Sequence, residues 1–370
     1  MVKTAVLIYD IFFVLFCYFL VPLEDKPELI IRMEFYMNKL VKGLAAAGVA
    51  AAMSQGAVAA CGDVTIAEMN WASAEFMANV DKIILEEGYG CTVELVPGAT
   101  LTTFASMDTK GVPDIAPELW TQSVDVPLKA AIASGSLHKM NPKPILGAGE
   151  GWVVPSYTLE NHPEIKTVLD VIERPDLFPY NEDPTKGAFV GCPAGWGCQQ
   201  INNNLFTAFD MEAKGWVLVD PGSAAGLDGA MAKAVQRGDD YFGYYWSPTA
   251  MMGKYNMQML DFGVPFQGMD DWLACTTQAE CADPQPTSWS VSEINTIATD
   301  SFMKNNDPKA AAYIKGREYP AAAMGAMLVY MADNQAGGED AAIEFLVNHE
   351  DVWTQWVGVQ AANLIKKSLN

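Results

Sequence analysis

The sequence is poor in histidine and in positive charge. Three histidines, His138, His162 and His349, are spread over 370 residues, and none stands in a His-Glu-x-x-His or comparable metal-ligating spacing. No phosphate-cradling P-loop, no dinucleotide glycine fingerprint after a strand and no Gly-x-Ser-x-Gly elbow is present. The cysteines never fall as Cys-x-x-Cys, which argues against a dithiol redox centre. These absences speak against an enzyme and leave no residues that call for a metal or cofactor. Lys+Arg number 23 against 45 Asp+Glu, a formal net charge of −22. With no basic stretch, neither nucleic acid nor an anionic membrane surface is a suitable partner. The acidity reads as a solvated surface. The loop Asp333–Asp340 carries oxygen ligands of the kind calcium takes, but it lies between two helical runs and reads as a connecting turn.

What is present points to a folded, exported chain. Half of the residues are hydrophobic and 18% are charged, and the length suits two domains. Met37-Asn38-Lys39-Leu40-Val41-Lys42 is a positive start, Gly43–Met53 a short apolar core and Ala57-Val58-Ala59-Ala60 a small-residue cleavage site, so residues 37–60 read as a signal peptide. Residues 1–36 hold an apolar run, Ala5–Leu23, broken by Asp10; we read them as an extension upstream of a true start at Met37, the alternative being a membrane anchor.

Six cysteines follow the signal, and an even count in an exported chain implies disulfides. Cys192 and Cys198 are six apart, as are Cys275 and Cys281, which leaves Cys61 for Cys91. Each of these two precedes a strand-like run, and parallel neighbouring strands would set them side by side. A competing reading makes Val58-Ala59-Ala60-Cys61 a lipid-attachment site.

Strand-like and helix-like runs alternate along the chain. Val64–Met69 leads into a helix over Ser73–Glu87, with Phe76, Val80, Ile83 and Ile84 at helical spacing. Thr92–Val96 and Asp114–Leu119 are further strands, and Val126–Gly135 is helical. Gly151–Tyr157 reads as a crossing. A second alternation follows: strand Ala188–Gly191, helix Asn202–Lys214, strand Trp216–Val219, helix Ser223–Arg237, strand Tyr241–Trp246 and a short helix Ala250–Tyr255. Met269–Thr287 is irregular and Ser288–Ala298 crosses back. Helices over Asp307–Ile314, Ala321–Ala332, Glu339–Asn348 and Asp351–Lys367 close the chain. The pattern predicts an α/β fold of two lobes, each a mainly parallel sheet flanked by helices. Residues 61–154 and 290–370 form lobe 1, 155–289 lobe 2, and two crossings join them.

Four of the ten tryptophans stand where a strand gives way to a turn, the place where open α/β sheets bind ligands. Trp71 follows Val64–Met69, Trp120 ends Pro117-Glu118-Leu119-Trp120, and Trp246 ends Tyr244-Tyr245-Trp246-Ser247-Pro248. Trp196 lies in Gly191-Cys192-Pro193-Ala194-Gly195-Trp196-Gly197-Cys198, where a disulfide is expected to close a small rigid loop that holds the indole out. Indole faces gathered together hold a quaternary ammonium group. Glu118, two residues before Trp120 on a strand, shares its face. Trp152, Trp216, Trp272, Trp289, Trp353 and Trp356 read as packing residues.

Cys-Pro-x-Gly-Trp-Gly-Cys, the acidic strand ending in Trp120 and Tyr-Tyr-Trp-Ser-Pro together resemble the periplasmic glycine betaine/choline-type binding proteins of ABC importers, in order from about Cys61 to the C-terminus. Within that family the chain looks most like the trimethylamine N-oxide binding proteins of marine bacteria. The resemblance implies a hinged clamshell whose lobes close on ligand. It implies a small methylated amine as ligand, permease subunits with a cytoplasmic ATPase as partners, a periplasmic location and a monomer. The resemblance puts Trp120, Trp196 and Trp246 in the ligand set; Trp71 joins them on its strand-end position and Glu118 on the face it shares with Trp120, with the backbone N–H groups of Gly197 and Cys198 available to an oxygen atom. One departure stands out: betaine-binding relatives carry a histidine for the ligand carboxylate four residues after the Trp120 equivalent, and here that position is Val124. A ligand without a carboxylate fits better, trimethylamine N-oxide first and choline second, with glycine betaine as the alternative.

Overall fold

The two runs of alternation become two sheets. The computed structural model describes residues 61–370, so the signal, the upstream segment and the apolar run Ala5–Leu23 lie outside the described residues. The strands are β1 (Asp63–Met69), β2 (Thr92–Gly98), β3 (Ile115–Trp120), β4 (Leu137–Asn141), β5 (Gly149–Pro155), β6 (Pro179–Tyr180), β7 (Asp183–Val190), β8 (Trp216–Val219), β9 (Gly243–Ser247), β10 (Met257–Met259) and β11 (Ile294–Thr299). The first sheet has the order β2-β1-β3-β11-β4; the second is β10-β5-β9-β7-β6, with β8 also on β7. The strands of the alternating runs pair in parallel, β1 with β2 and β3, and β7 with β8 and β9. The strands β5 and β11 run antiparallel to their neighbours, so each sheet is mixed.

The segment expected to cross between lobes at Gly151–Tyr157 is instead largely β5, paired with β9 and β10 inside the second sheet. A boundary after residue 154 therefore falls within this strand's sheet, and the chain has already changed sheets between β4 and β5. The apolar run Trp152-Val153-Val154 explains the difference: these three side chains are fully buried, as a central strand requires.

Helices cover the sheets as their periodicity demands. Ala72–Ile83 buries Phe76, Met77 and Val80 and runs on into a wider π turn, Ile84–Gly88. The helix expected over Asp351–Lys367 is broken into Glu350–Trp353 and Val359–Ser368, with Gly358 in extended conformation before the second piece. Between helices, an ion pair sits in the core. Arg317 donates from Nε and Nη2 to Asp81 at 2.6 and 2.7 Å, Tyr313 Oη donates to the same carboxylate at 2.6 Å, and both charged side chains are wholly buried. This fork ties helix Ala72–Ile83 to the C-terminal helices.

All three disulfides form as the spacing predicts: Cys61–Cys91, Cys192–Cys198 and Cys275–Cys281. Asp63 and Thr92 are register partners in β1 and β2, which brings Cys61 and Cys91 together just before them.

Candidate functional site

The four strand-end indoles converge. Trp71 stands in extended conformation at the head of helix Ala72–Ile83, directly after β1. Trp120 is the last residue of β3. Trp246 lies near the end of β9. Trp196 precedes helix Gly197–Ala208. Ring centroids are 5.2 Å apart for Trp71 and Trp196 and 5.1 Å for Trp196 and Trp246, both edge-to-face. With Trp120 they wall a cleft of about 380 Å³, mouth included, completed by Thr100, Gln122, Ser123, Glu150, Gly197, Cys198, Ile201 and Tyr244.

The disulfide loop does not display Trp196 outward. Only 4% of this residue is exposed, because the loop packs across the cleft onto the first sheet's side. Trp196 Nε1 donates to Asn70 Oδ1 at 2.8 Å, and Leu101 N–H donates to Gly195 C=O at 3.2 Å. The helix expected from Asn202 starts at Gly197, five residues earlier. Gly197 and Cys198 thus open a helix, where backbone N–H groups have no intrahelical acceptor and the dipole favours negative charge. Glycine at 197 is required by contact: an added Cβ would stand 2.1 Å from Ser123 Oγ and 2.9 Å from Ser123 Cβ.

Glu118 and Trp120 share a face of β3, but the carboxyl lies behind the indoles rather than in the cleft wall. It is fully buried. Its Oε1 accepts from Trp71 Nε1 and Trp120 Nε1, each at 2.8 Å, and from Ser73 Oγ at 3.1 Å; Oε2 has no partner. Burial pushes this carboxyl up to about 7, against the hydrogen bonds from Trp120, Trp71 and Ser73 and the charge of Arg317, which favour the anion.

The acidic group in the cleft wall is Glu150, which sequence reasoning missed. It sits on β5 directly opposite Trp246 on β9, so strand register sets carboxyl and indole side by side. Tyr244 Oη donates to its Oε2 at 2.7 Å and Ser292 Oγ to its Oε1 at 3.0 Å. Burial raises its pKa, and the hydrogen bonds oppose the shift. Reading Gly151–Tyr157 as a crossing hid this residue, since only the β5–β9 pairing brings it to the cleft. Tyr244 had a legible signal: it stands two residues before Trp246 and so shares its face. No lysine, arginine or histidine lines the cleft, and Val124 is buried beside it without lining it.

The remaining tryptophans pack. Trp152, Trp216, Trp272 and Trp353 are buried in the cores, Trp152 donating to Asn202 Oδ1 at 2.7 Å; Trp289 and Trp356 pack against the core partly exposed. The acidic loop Asp333–Asp340 joins helices Ala321–Asn334 and Gly338–Asn348. Among the described residues no helix is long and apolar enough to cross a membrane.

A family profile described as the substrate-binding domain of the ABC-type glycine betaine transport system, OpuAC, matches residues 62–348. No curated protein matches the chain. Among solved structures, an ABC-transporter choline-binding protein in complex with choline is 16% identical, with 84% of this chain and 99% of that chain covered and a TM-score of 0.64. The glycine betaine/L-proline-binding protein ProX from Borrelia burgdorferi is also 16% identical, with 82% and 99% covered and a TM-score of 0.64. Lactococcal OpuAC, closed and complexed with glycine betaine, is 20% identical, with 80% and 99% covered and a TM-score of 0.60. At these identities the likeness is one of fold, the two-lobed clamshell.

Proposed function

This chain belongs to the family of substrate-binding domains of ABC-type glycine betaine transport systems, a binding protein and not an enzyme, and we propose that its ligand is trimethylamine N-oxide. The observation that carries this reading is a cleft walled by four indoles and a buried carboxyl, with no cationic side chain. The indole faces suit a methylated, positively charged nitrogen. The N-oxide oxygen needs donors, and the wall supplies the N–H groups of Gly197 and Cys198 at the helix start and the unpartnered hydroxyl of Ser123 beside them. Binding spans both sheets, so ligand stabilises the closed clamshell, the form handed to the permease and its ATPase. The signal-like segment 37–60 supports export to the periplasm, where the chain acts as a monomer.

Choline is the second reading. A full cation gains where the buried carboxyls Glu118 and Glu150 are ionised, above their raised pKa values, and the choline-bound structural relative shares the fold. Glycine betaine, the ligand of another relative, would bring a carboxylate to a wall with no cationic side chain to balance it. Calorimetric titration of residues 61–370 against the three amines tests the reading. Trimethylamine N-oxide is expected to bind most tightly and glycine betaine most weakly, each recovered unchanged. Tightest binding of glycine betaine would overturn the ligand assignment, and no heat with any of them would overturn the cage.

A further inference from the structure

We infer that Glu118 is a positioning residue that clasps two cage indoles from behind and makes their faces more negative, rather than a ligand contact; this rests on the cage as the site proposed above. Three observations carry it. A single oxygen, Oε1, accepts from both Trp71 Nε1 and Trp120 Nε1 at 2.8 Å. These indoles come from different strand ends, so one atom fixes the angle between two walls. The carboxyl has no exposed surface and does not line the cleft.

An indole N–H that donates to a carboxylate pushes electron density back into its ring. The ring face is what attracts a cation, so the clasp strengthens two walls at once. Ser73, the third donor to Oε1 at 3.1 Å, holds the carboxyl in register with the helix that follows Trp71. Burial raises this carboxyl to about 7, opposed by its hydrogen bonds and by the charge of Arg317, so the clasp carries its full negative charge above that pH. The pattern explains why a carboxyl is kept in a core position where its other oxygen has no partner.

The test uses Glu118→Gln at about pH 8.5, above the raised value of about 7, where the substitution preserves shape and an acceptor oxygen but removes the charge. The first measurement is the indole N–H proton NMR of the ligand-free chain. Both the Trp71 and Trp120 signals are expected to move upfield together in the variant, while those of Trp152 and Trp216 stay. The second is the affinity for choline and for its uncharged carbon isostere 3,3-dimethylbutan-1-ol. The variant is expected to lose about tenfold for choline and less than twofold for the isostere. Combining Glu118→Gln with Trp71→Phe and Trp120→Phe, which remove both donors and keep ring faces, should abolish the extra loss. Unmoved indole signals, or equal losses for choline and isostere, overturn the inference. The NMR measurement needs no ligand, so it still decides whether the clasp exists if no methylated amine binds and the proposed function fails.

Discussion

Replacing Gly197 by alanine tests whether the cleft depends on the close approach of its two sides. The added methyl carbon would lie 2.1 Å from Ser123 Oγ, 2.9 Å from Ser123 Cβ and 3.6 Å from Thr100 Cγ2. The hydroxyl can rotate away, but Ser123 Cβ is fixed to the backbone, so the two sides must separate. Overpacking a well-fitted contact costs about 1–3 kcal/mol, which corresponds to roughly 5- to 150-fold in affinity at about 1.4 kcal/mol per tenfold. The cost falls on the closed form. Gly197 opens a helix, where alanine is compatible with the backbone, and the glycine-to-alanine change itself stabilises by about 0.4–1 kcal/mol through the unfolded chain. Affinity by calorimetry should therefore fall while the thermal midpoint of the ligand-free protein holds or rises. Adding Ser123→Gly removes both clashing atoms and should restore most of the loss, measured relative to Ser123→Gly alone because Ser123 also lines the cleft. Unchanged affinity in Gly197→Ala, or a loss that Ser123→Gly does not relieve, would refute the reasoning.

Other outcomes follow from the same geometry. Trp246→Ala should cost about 0.5–2 kcal/mol of binding, whereas Trp152→Ala should lower unfolding stability by about 3–5 kcal/mol because its ring is wholly buried; titration and chemical denaturation separate the two. Arg317→Met leaves Asp81 charged in the core and should destabilise by about 3–5 kcal/mol, with Asp81→Asn added in the same chain recovering part of it. Glu118, raised to about 7, holds a proton in the folded chain that the unfolded chain has released above about pH 4.3. Stability from this group is complete below that pH and is lost as pH rises through about 7, a change on the order of 3 kcal/mol. Buried Glu150 acts in the same direction. Thermal midpoints of the ligand-free protein between pH 5 and 8 should fall more steeply for the parent than for Glu118→Gln, and equal slopes would place the titration elsewhere.

Local pattern and spacing determined much of this protein. Alternating runs specify two α/β units because strand and helix periods differ and each must bury its apolar face. Two disulfides follow from short loops that leave their cysteines no nearer partner, and the third from parallel strands that begin together. The four cage indoles are legible because parallel strands deliver their ends to one edge. Pairing across the sheet was beyond local sequence. The apolar run Trp152-Val153-Val154 suits a crossing or a central strand equally, and only its pairing with β9 made it a strand and brought Glu150 opposite Trp246. The helix after Trp196 begins at Gly197 although glycine favours helices poorly, because only a residue without a side chain fits against Ser123. The i, i+2 rule aligned Glu118 with Trp120, but whether the carboxyl met the ligand or the indole N–H groups depended on Trp71 arriving from another strand 47 residues away. Local sequence places the four indoles at strand ends, and pairing and packing between distant segments decide which other residues join them and which atoms face the cleft.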